Sequence, residues 1–336
     1  MDSTKTFQEE WLMKTIILNL LPFNNRKEMS KLEYIIKMIL AFLLIYFTSA
    51  ILGEAVIIGL LSAMGYDPLH GDVPGGEASL LSQFVMNLFS LFGFAIFIFV
   101  TILYCKIVEK RSVKEVLGSR PLDYLTGSFI AVALLAVILG LCLMTGAMTF
   151  EGLGSDIRLP MLLLLLVGYM IQSAAEEVMC RGFLMRALKE KVPGFLAVLI
   201  SSTAFAFPHL PGILEMEAKY VVAAILNLYL ISIIFSLLVL YRGNLWISCG
   251  LHFAWNYVLG GILGLAVSGG DGAVFGLLLF KVKEGTLLNG GAYGIESSVI
   301  TTVVLGTVLT VMLFWMRKKT RKKHGIERRG EDGIQQ

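Results

Sequence analysis

Charge is scarce in this chain. Only 16% of its 336 residues are Asp, Glu, Lys or Arg, 56% are hydrophobic, and the mean hydropathy is +0.77. Ordinary soluble domains carry about 25% charged residues, so a single water-soluble core is excluded. Cysteine is scarce as well. Cys105, Cys142, Cys180 and Cys249 lie in or beside apolar runs with no C-x-x-C spacing and no extracellular pairing pattern, and they read as small hydrophobes. A repeat of fixed period is missing. The layout of a signal peptide is missing too, since Glu9 and Glu10 precede only a short apolar run with no small-residue cleavage site after it. Trp11, Ile16, Leu18 and Phe23 fit an interfacial segment instead.

What the chain does have is long apolar runs. An α-helix needs about 20 apolar residues to cross the hydrocarbon, and eight runs qualify: 36–62, 80–105, 125–149, 160–185, 193–207, 220–240, 245–267 and 297–316, the fifth being short. The expectation is an all-α, polytopic, multi-pass helix bundle of about eight transmembrane helices in the cell membrane. Residues 1–35 are read as an N-terminal interfacial segment, 36–316 as the membrane domain, with its core at about 160–267, and 317–336 as a basic tail.

Orientation follows from Lys and Arg, which cytoplasmic loops retain. With both the N and C termini cytoplasmic, only Arg158, Lys219, Lys281 and Lys283 of the 28 Lys and Arg fall outside. The loop 65–79 carries Asp67, Asp72 and Glu77 and no basic residue, as an outer loop should. The R-K-K-T-R-K-K run after Met316 suits anionic lipid headgroups and not nucleic acid. Residues 108–125 mix charged and apolar positions at helical spacing and are expected along the inner surface. The Gly-rich stretch 268–297 contains a run too short to span, which favours a re-entrant or surface-docked piece.

Polar residues interrupt this apolar background at three places. On the fourth span, Glu177 and Arg181 are i and i+4, acid first, the favourable order for pairing on one helix face. Glu176 is rotated about 100° away. A buried carboxylate without a fixed partner is the condition of a general base, and intramembrane charges are functional candidates by default. The polar turn Lys191–Gly194 lies midway between Glu176 and His209, so an antiparallel hairpin brings those two to one height. Pro208 frees a backbone carbonyl beside His209, tolerable where it faces protein or a wet cavity. On the seventh span His252 and Asn256 are again i and i+4, two donors on one face that suit an oxyanion.

Each cluster also has a structural explanation: an ion-pair knot for Glu176, Glu177 and Arg181, a hydrogen-bonded packing histidine for His209, and interhelical polar contacts for His252 and Asn256. Together they point to a buried site that handles water. Glu54 reads as a structural group with a cavity role as the alternative, and Asn87, Gln172 and Asn227 as interhelical hydrogen-bonding residues.

The sequence E-E-x-x-x-R (Glu176, Glu177, Arg181), then F-x-x-x-H (Phe205, His209), then H-x-x-x-N (His252, Asn256) resembles the CAAX-protease and bacteriocin-processing family, also called CPBP or Abi. The stretch Leu287–Glu296 looks like a segment found after the core in many bacterial members. The resemblance implies an intramembrane endopeptidase in which Glu176 and His209 activate water and His252 and Asn256 hold the oxyanion. Glu177, Arg181 and Phe205 would support them. Its substrate would be a peptide or lipidated protein in the membrane. Members have been labelled metalloproteases, and Glu176, His209 and His252 are the residues that would hold Zn. The chain has no H-E-x-x-H pair, and Asn256 suits a donor better than a ligand, so a metal-independent glutamate mechanism is favoured. The alternatives are a proton-coupled transporter, against which stands the lack of paired repeats, and a non-catalytic immunity protein of the same fold.

Overall fold

The computed structural model describes residues 18–24, 29–67, 80–154, 159–269 and 276–332, with side chains omitted at 80–82 and from 320 onward. Among these residues seven helices are long and apolar enough to cross a membrane. Trp11 and Ile16 of the expected interfacial segment, and Asp72, Glu77 and Arg158, lie outside the described residues; Leu18 and Phe23 are exposed.

The first span is α1 (Lys31–Ala63), started by a capping box in which Ser30 and Glu33 satisfy each other's backbone N–H groups. The second is broken at Phe94 into α2 (Leu80–Gly93) and α3 (Ala95–Ile107). The expected surface stretch contains one short helix, α4 (Val113–Leu117), capped by Ser112 and Glu115. The third span is α5 (Asp123–Met144), shorter than expected because the chain turns into strand β1 (Met148–Leu153). The fourth is α6 (Leu159–Glu177), a π-helix Val178–Met185 and α7 (Arg186–Lys189). The fifth combines α8 (Gly194–Ala206), a 3-10 turn Phe207–His209 and α9 (Leu210–Leu214). The sixth is α10 (Ala218–Arg242), ended by Gly243 at φ 73°, the left-handed C-cap that glycine adopts without steric cost.

The seventh expected span differs. It is α11 (Trp246–Asn256), 11 residues long, continued by a six-residue π-helix Tyr257–Ile262. That is too short for one of the seven crossing helices, and most of α11 is buried. Protein rather than lipid surrounds it, which is why its polar residues are tolerated. The run expected to be re-entrant or surface-docked forms β2 (Leu278–Val282), paired antiparallel with β1. Among the described residues the helical bundle thus carries one two-stranded ribbon. The last span, α12 (Val299–Asp332), continues into the basic tail as helix.

Bonds between elements set the two ends of the bundle. Tyr34, early in α1, donates to the Ala187 carbonyl at 3.0 Å, and Arg186 donates to the carbonyls of Glu115 at 2.6 Å and Gly243 at 3.2 Å. Lys319 of α12 donates to Tyr241 at 2.9 Å. The start of α1 and the end of the apolar part of α12 therefore share one end, and the β1–β2 ribbon marks the other. Counting α11 with the seven crossing helices, the described residues make eight passes between them.

The closest helix contact holds α11 against α5. A Cβ on Gly250 would stand 1.9 Å from the Tyr124 carbonyl oxygen, and one on Gly127 2.0 Å from that of Ile247. Ser128 adds a hydrogen bond to the Gly250 carbonyl at 3.1 Å. Small residues let helix backbones approach this closely in membranes. Gly250→Ala and Gly127→Ala are each expected to destabilise the protein by roughly 1–3 kcal/mol, read as a lower melting temperature in detergent. Gly140→Ala on the same α5, with open space around its Cβ position, should not.

Candidate active site

α6 and α11 face each other across the bundle, and their polar residues meet there. The i, i+4 pair is made: Arg181 Nη1 donates to Glu177 Oε1 at 2.8 Å, with both side chains fully buried. The guanidinium is satisfied on its other sides. Nε donates to Ser236 Oγ at 3.4 Å, and Nη2 to Ser232 through both its carbonyl at 3.2 Å and its hydroxyl. It also lies against the rings of Phe205 and Phe235, at 4.5 and 5.3 Å from their centroids.

Glu177 reaches further than this pair. Its Oε1 lies 3.3 Å from His252 Nδ1, and the His252 ring stacks on Phe235 at 5.1 Å and meets Phe205 edge-on at 5.7 Å. A carboxylate acceptor fixes the Nδ1–H tautomer, leaving Nε2 directed elsewhere. Nε2 lies 3.8 Å from Glu176 Oε2. That Oε2 is buried and reaches no hydrogen-bond partner. Oε1 of the same carboxylate accepts from Gln172 Nε2 at 2.6 Å, and Gln172 Oε1 accepts from Asn256 Nδ2 at 2.9 Å. Glu176, Gln172 and Asn256 therefore form one chain of hydrogen bonds, and His252 stands between the two glutamates.

His209 is set apart from this chain. It sits half-buried on the 3-10 turn, its Nδ1 2.9 Å from the Phe205 carbonyl oxygen, so that Nδ1–H donates and Nε2 keeps its lone pair. Phe205 stands between the two histidines, 5.2 Å from the His209 ring and 5.7 Å from the His252 ring. Among the described residues Glu176 and His209 share no hydrogen bond or ion pair. The hairpin arithmetic concerns height along the bundle; the direct neighbours of Glu176 are Gln172 and His252.

Gln172 is the residue that the sequence reading undervalued. It is i−4 to Glu176, and that spacing was the available signal. Both helices also become π-helical immediately after Glu177 and Asn256, at Val178 and at Tyr257, with Arg181 inside the first π segment. π segments occur frequently at functional sites, but nothing in the hydropathy pattern announces them. Asn227 bonds not to another span but to the carbonyls of Glu296, in a 3-10 turn, and Ser298, just before α12. Glu54 is exposed on α1, away from this cluster.

The candidate zinc ligands Glu176, His209 and His252 do not fit a metal as they stand. No set of three His, Cys, Asp or Glu side chains among the described residues is gathered to hold one.

A polytopic helical membrane protein with a buried glutamate–histidine cluster is the class that this fold and site define. Within it, residues 158–258 match the family described as type II CAAX prenyl endopeptidase Rce1-like. The match runs from the start of α6 to just past Asn256, and at the level of the family it supports a CAAX-type intramembrane endopeptidase. No curated protein and no solved structure matches the chain.

Removing one partner of a buried ion pair strands the other charge, at a cost of about 3–5 kcal/mol. Glu177→Ala and Arg181→Ala should each lower the melting temperature and the yield of folded protein, measured by size-exclusion chromatography in detergent. Lys319→Ala, on the surface, should leave both near wild type.

Proposed function

We propose that the chain is an intramembrane endopeptidase that hydrolyses a peptide bond of a membrane-associated or lipidated substrate, with Glu176 as general base. One observation carries this reading: the Glu176 carboxylate is held at Oε1 by Gln172, while its buried Oε2 has no hydrogen-bond partner and faces His252 Nε2 across 3.8 Å. A base must have an acceptor atom free and aimed.

A water beside Oε2 gives its proton to Glu176 and attacks the peptide carbonyl carbon. His209, with Nδ1–H committed to Phe205, offers Nε2 to the same water. Negative charge then gathers on the carbonyl oxygen. With Nδ1–H given to Glu177, His252 donates to that oxyanion from Nε2 as the imidazolium, and the second amide N–H of Asn256, whose first is given to Gln172, is the other donor. Collapse breaks the C–N bond, and the proton on Glu176 passes to the leaving amine. No step is routed through a metal.

The distribution of Lys and Arg assigns the end where α1 begins and the apolar part of α12 ends to the cytoplasm, in the cell membrane, with the basic tail against anionic headgroups. Glu176→Ala should abolish cleavage while leaving a folded, inserted protein, read by comparing membrane peptides from cells carrying wild type and variant. Retained cleavage would remove Glu176 from the mechanism. Solute flux in proteoliposomes without any cleavage would favour a carrier, and the same peptide comparison with a chelator tests metal dependence.

A further inference from the structure

The outer Gly-rich segment has no task in the reaction above, yet it is bonded to the helix that carries His252 and Asn256. Gly290, Gly291 and Gly294 adopt φ of 81°, 62° and 89°, and a Cβ on Gly290 would stand 1.9 Å from the Gly294 carbonyl oxygen. This backbone folds Leu287–Glu296 back over the end of the bundle. Asn289 anchors it by donating to the carbonyls of Ala147 and Lys283, each at 2.7 Å. Asn227 of α10 holds its far end by donating to the Glu296 carbonyl at 2.8 Å.

There the Glu296 side chain turns inward. Its Oε1 accepts from the indole N–H of Trp255 at 2.8 Å, and its Oε2 accepts from the Ser268 backbone N–H. Trp255 is buried on α11, one residue before Asn256 and three after His252. A small cavity of about 30 Å³ borders the carboxylate, lined by Asn227, Trp255, Ser268, Tyr293, Glu296 and Thr301 among others. α11 needs an outside fix at this point, because its regular hydrogen-bond ladder gives way to a π-helix right after Asn256.

We propose that Glu296 is a positioning residue: through the Trp255 indole it sets the rotation of α11 about its axis, and so the places of His252 and Asn256, making the outer segment a strap on the active site. This rests on the peptidase reading for its effect on turnover, but the clamp itself can be tested without it. Groups displaced by about 1 Å can cost on the order of 100-fold in rate.

The test uses the full chain in nanodiscs with four single variants and the Trp255→Phe/Glu296→Ala double variant. Trp255→Phe keeps the ring and deletes the N–H, Glu296→Ala deletes the acceptor, Glu296→Gln keeps one carbonyl oxygen, and Glu176→Ala supplies the inactive reference. Trp255→Phe and Glu296→Ala should each lower kcat by about tenfold or more at unchanged KM, with Glu296→Gln in between and the double variant no worse than the weaker single one. Amide hydrogen exchange over residues 246–256 should speed up in both while other helices keep their rates.

Wild-type exchange over α11 in Glu296→Ala overturns the clamp whatever the activity. Faster α11 exchange with unchanged kcat overturns the positioning role, as does uniform loss of protection across all helices. If Glu176→Ala still cleaves, the peptidase reading fails, and the exchange measurement alone decides the clamp.

Discussion

A guanidinium and a carboxylate, both fully buried in an apolar bundle, constrain everything around them. Neither can be left unpaired there, so Arg181 and Glu177 dictate their own surroundings: Ser232 and Ser236 on α10 for the remaining N–H groups, and Phe205 and Phe235 as flat walls. Those walls in turn confine the His252 ring, and the shared Oε1 of Glu177 fixes which ring nitrogen points where. The pair is therefore both a structural tie between α6 and α10 and the device that aims His252 at Glu176.

The two adjacent glutamates show how one helix face can hold two environments. Glu177 gives its Oε1 to both Arg181 and His252, while Glu176, rotated about 100°, meets an uncharged amide at Oε1; the Oε2 of each carboxylate is buried with no hydrogen-bond partner. The polar residues of the cluster come from α6 with its π-helical continuation, α10 and α11, and among the described residues α12 contributes none to it.

Much of this was legible in the sequence. Hydropathy gives the seven crossing helices and adds α11 as an eighth, and i, i+4 spacing gives the Glu177–Arg181 pair and the common face of His252 and Asn256. What it missed has physical causes. Hydropathy cannot tell a helix surrounded by lipid from one surrounded by protein, so α11 was read as an ordinary span. Gln172 was discounted because an amide in a membrane helix has many bland uses, and only the positions of Glu176 and Asn256 reveal it as a bridge. The β1–β2 ribbon pairs segments some 130 residues apart in the chain, a separation that local patterns do not register. The close approach of Gly127 and Gly250 is equally non-local, since neither glycine stands in a turn.

The shortness of α11 has a consequence for assembly. A helix of 11 residues with a six-residue extension, carrying His252 and Asn256, is a poor candidate to enter hydrocarbon unaided. Its slot against α5 is made by a segment inserted more than a hundred residues earlier, so a chain emerging from its N-terminus must keep that slot vacant or temporarily lipid-filled until α11 is synthesised. Once made, α11 packs against α5, α6 and α10, all of them earlier in the chain. The site is thus completed late in insertion, and a chain stalled before α11 would hold Glu176, Glu177, Arg181 and His209 without His252 and Asn256.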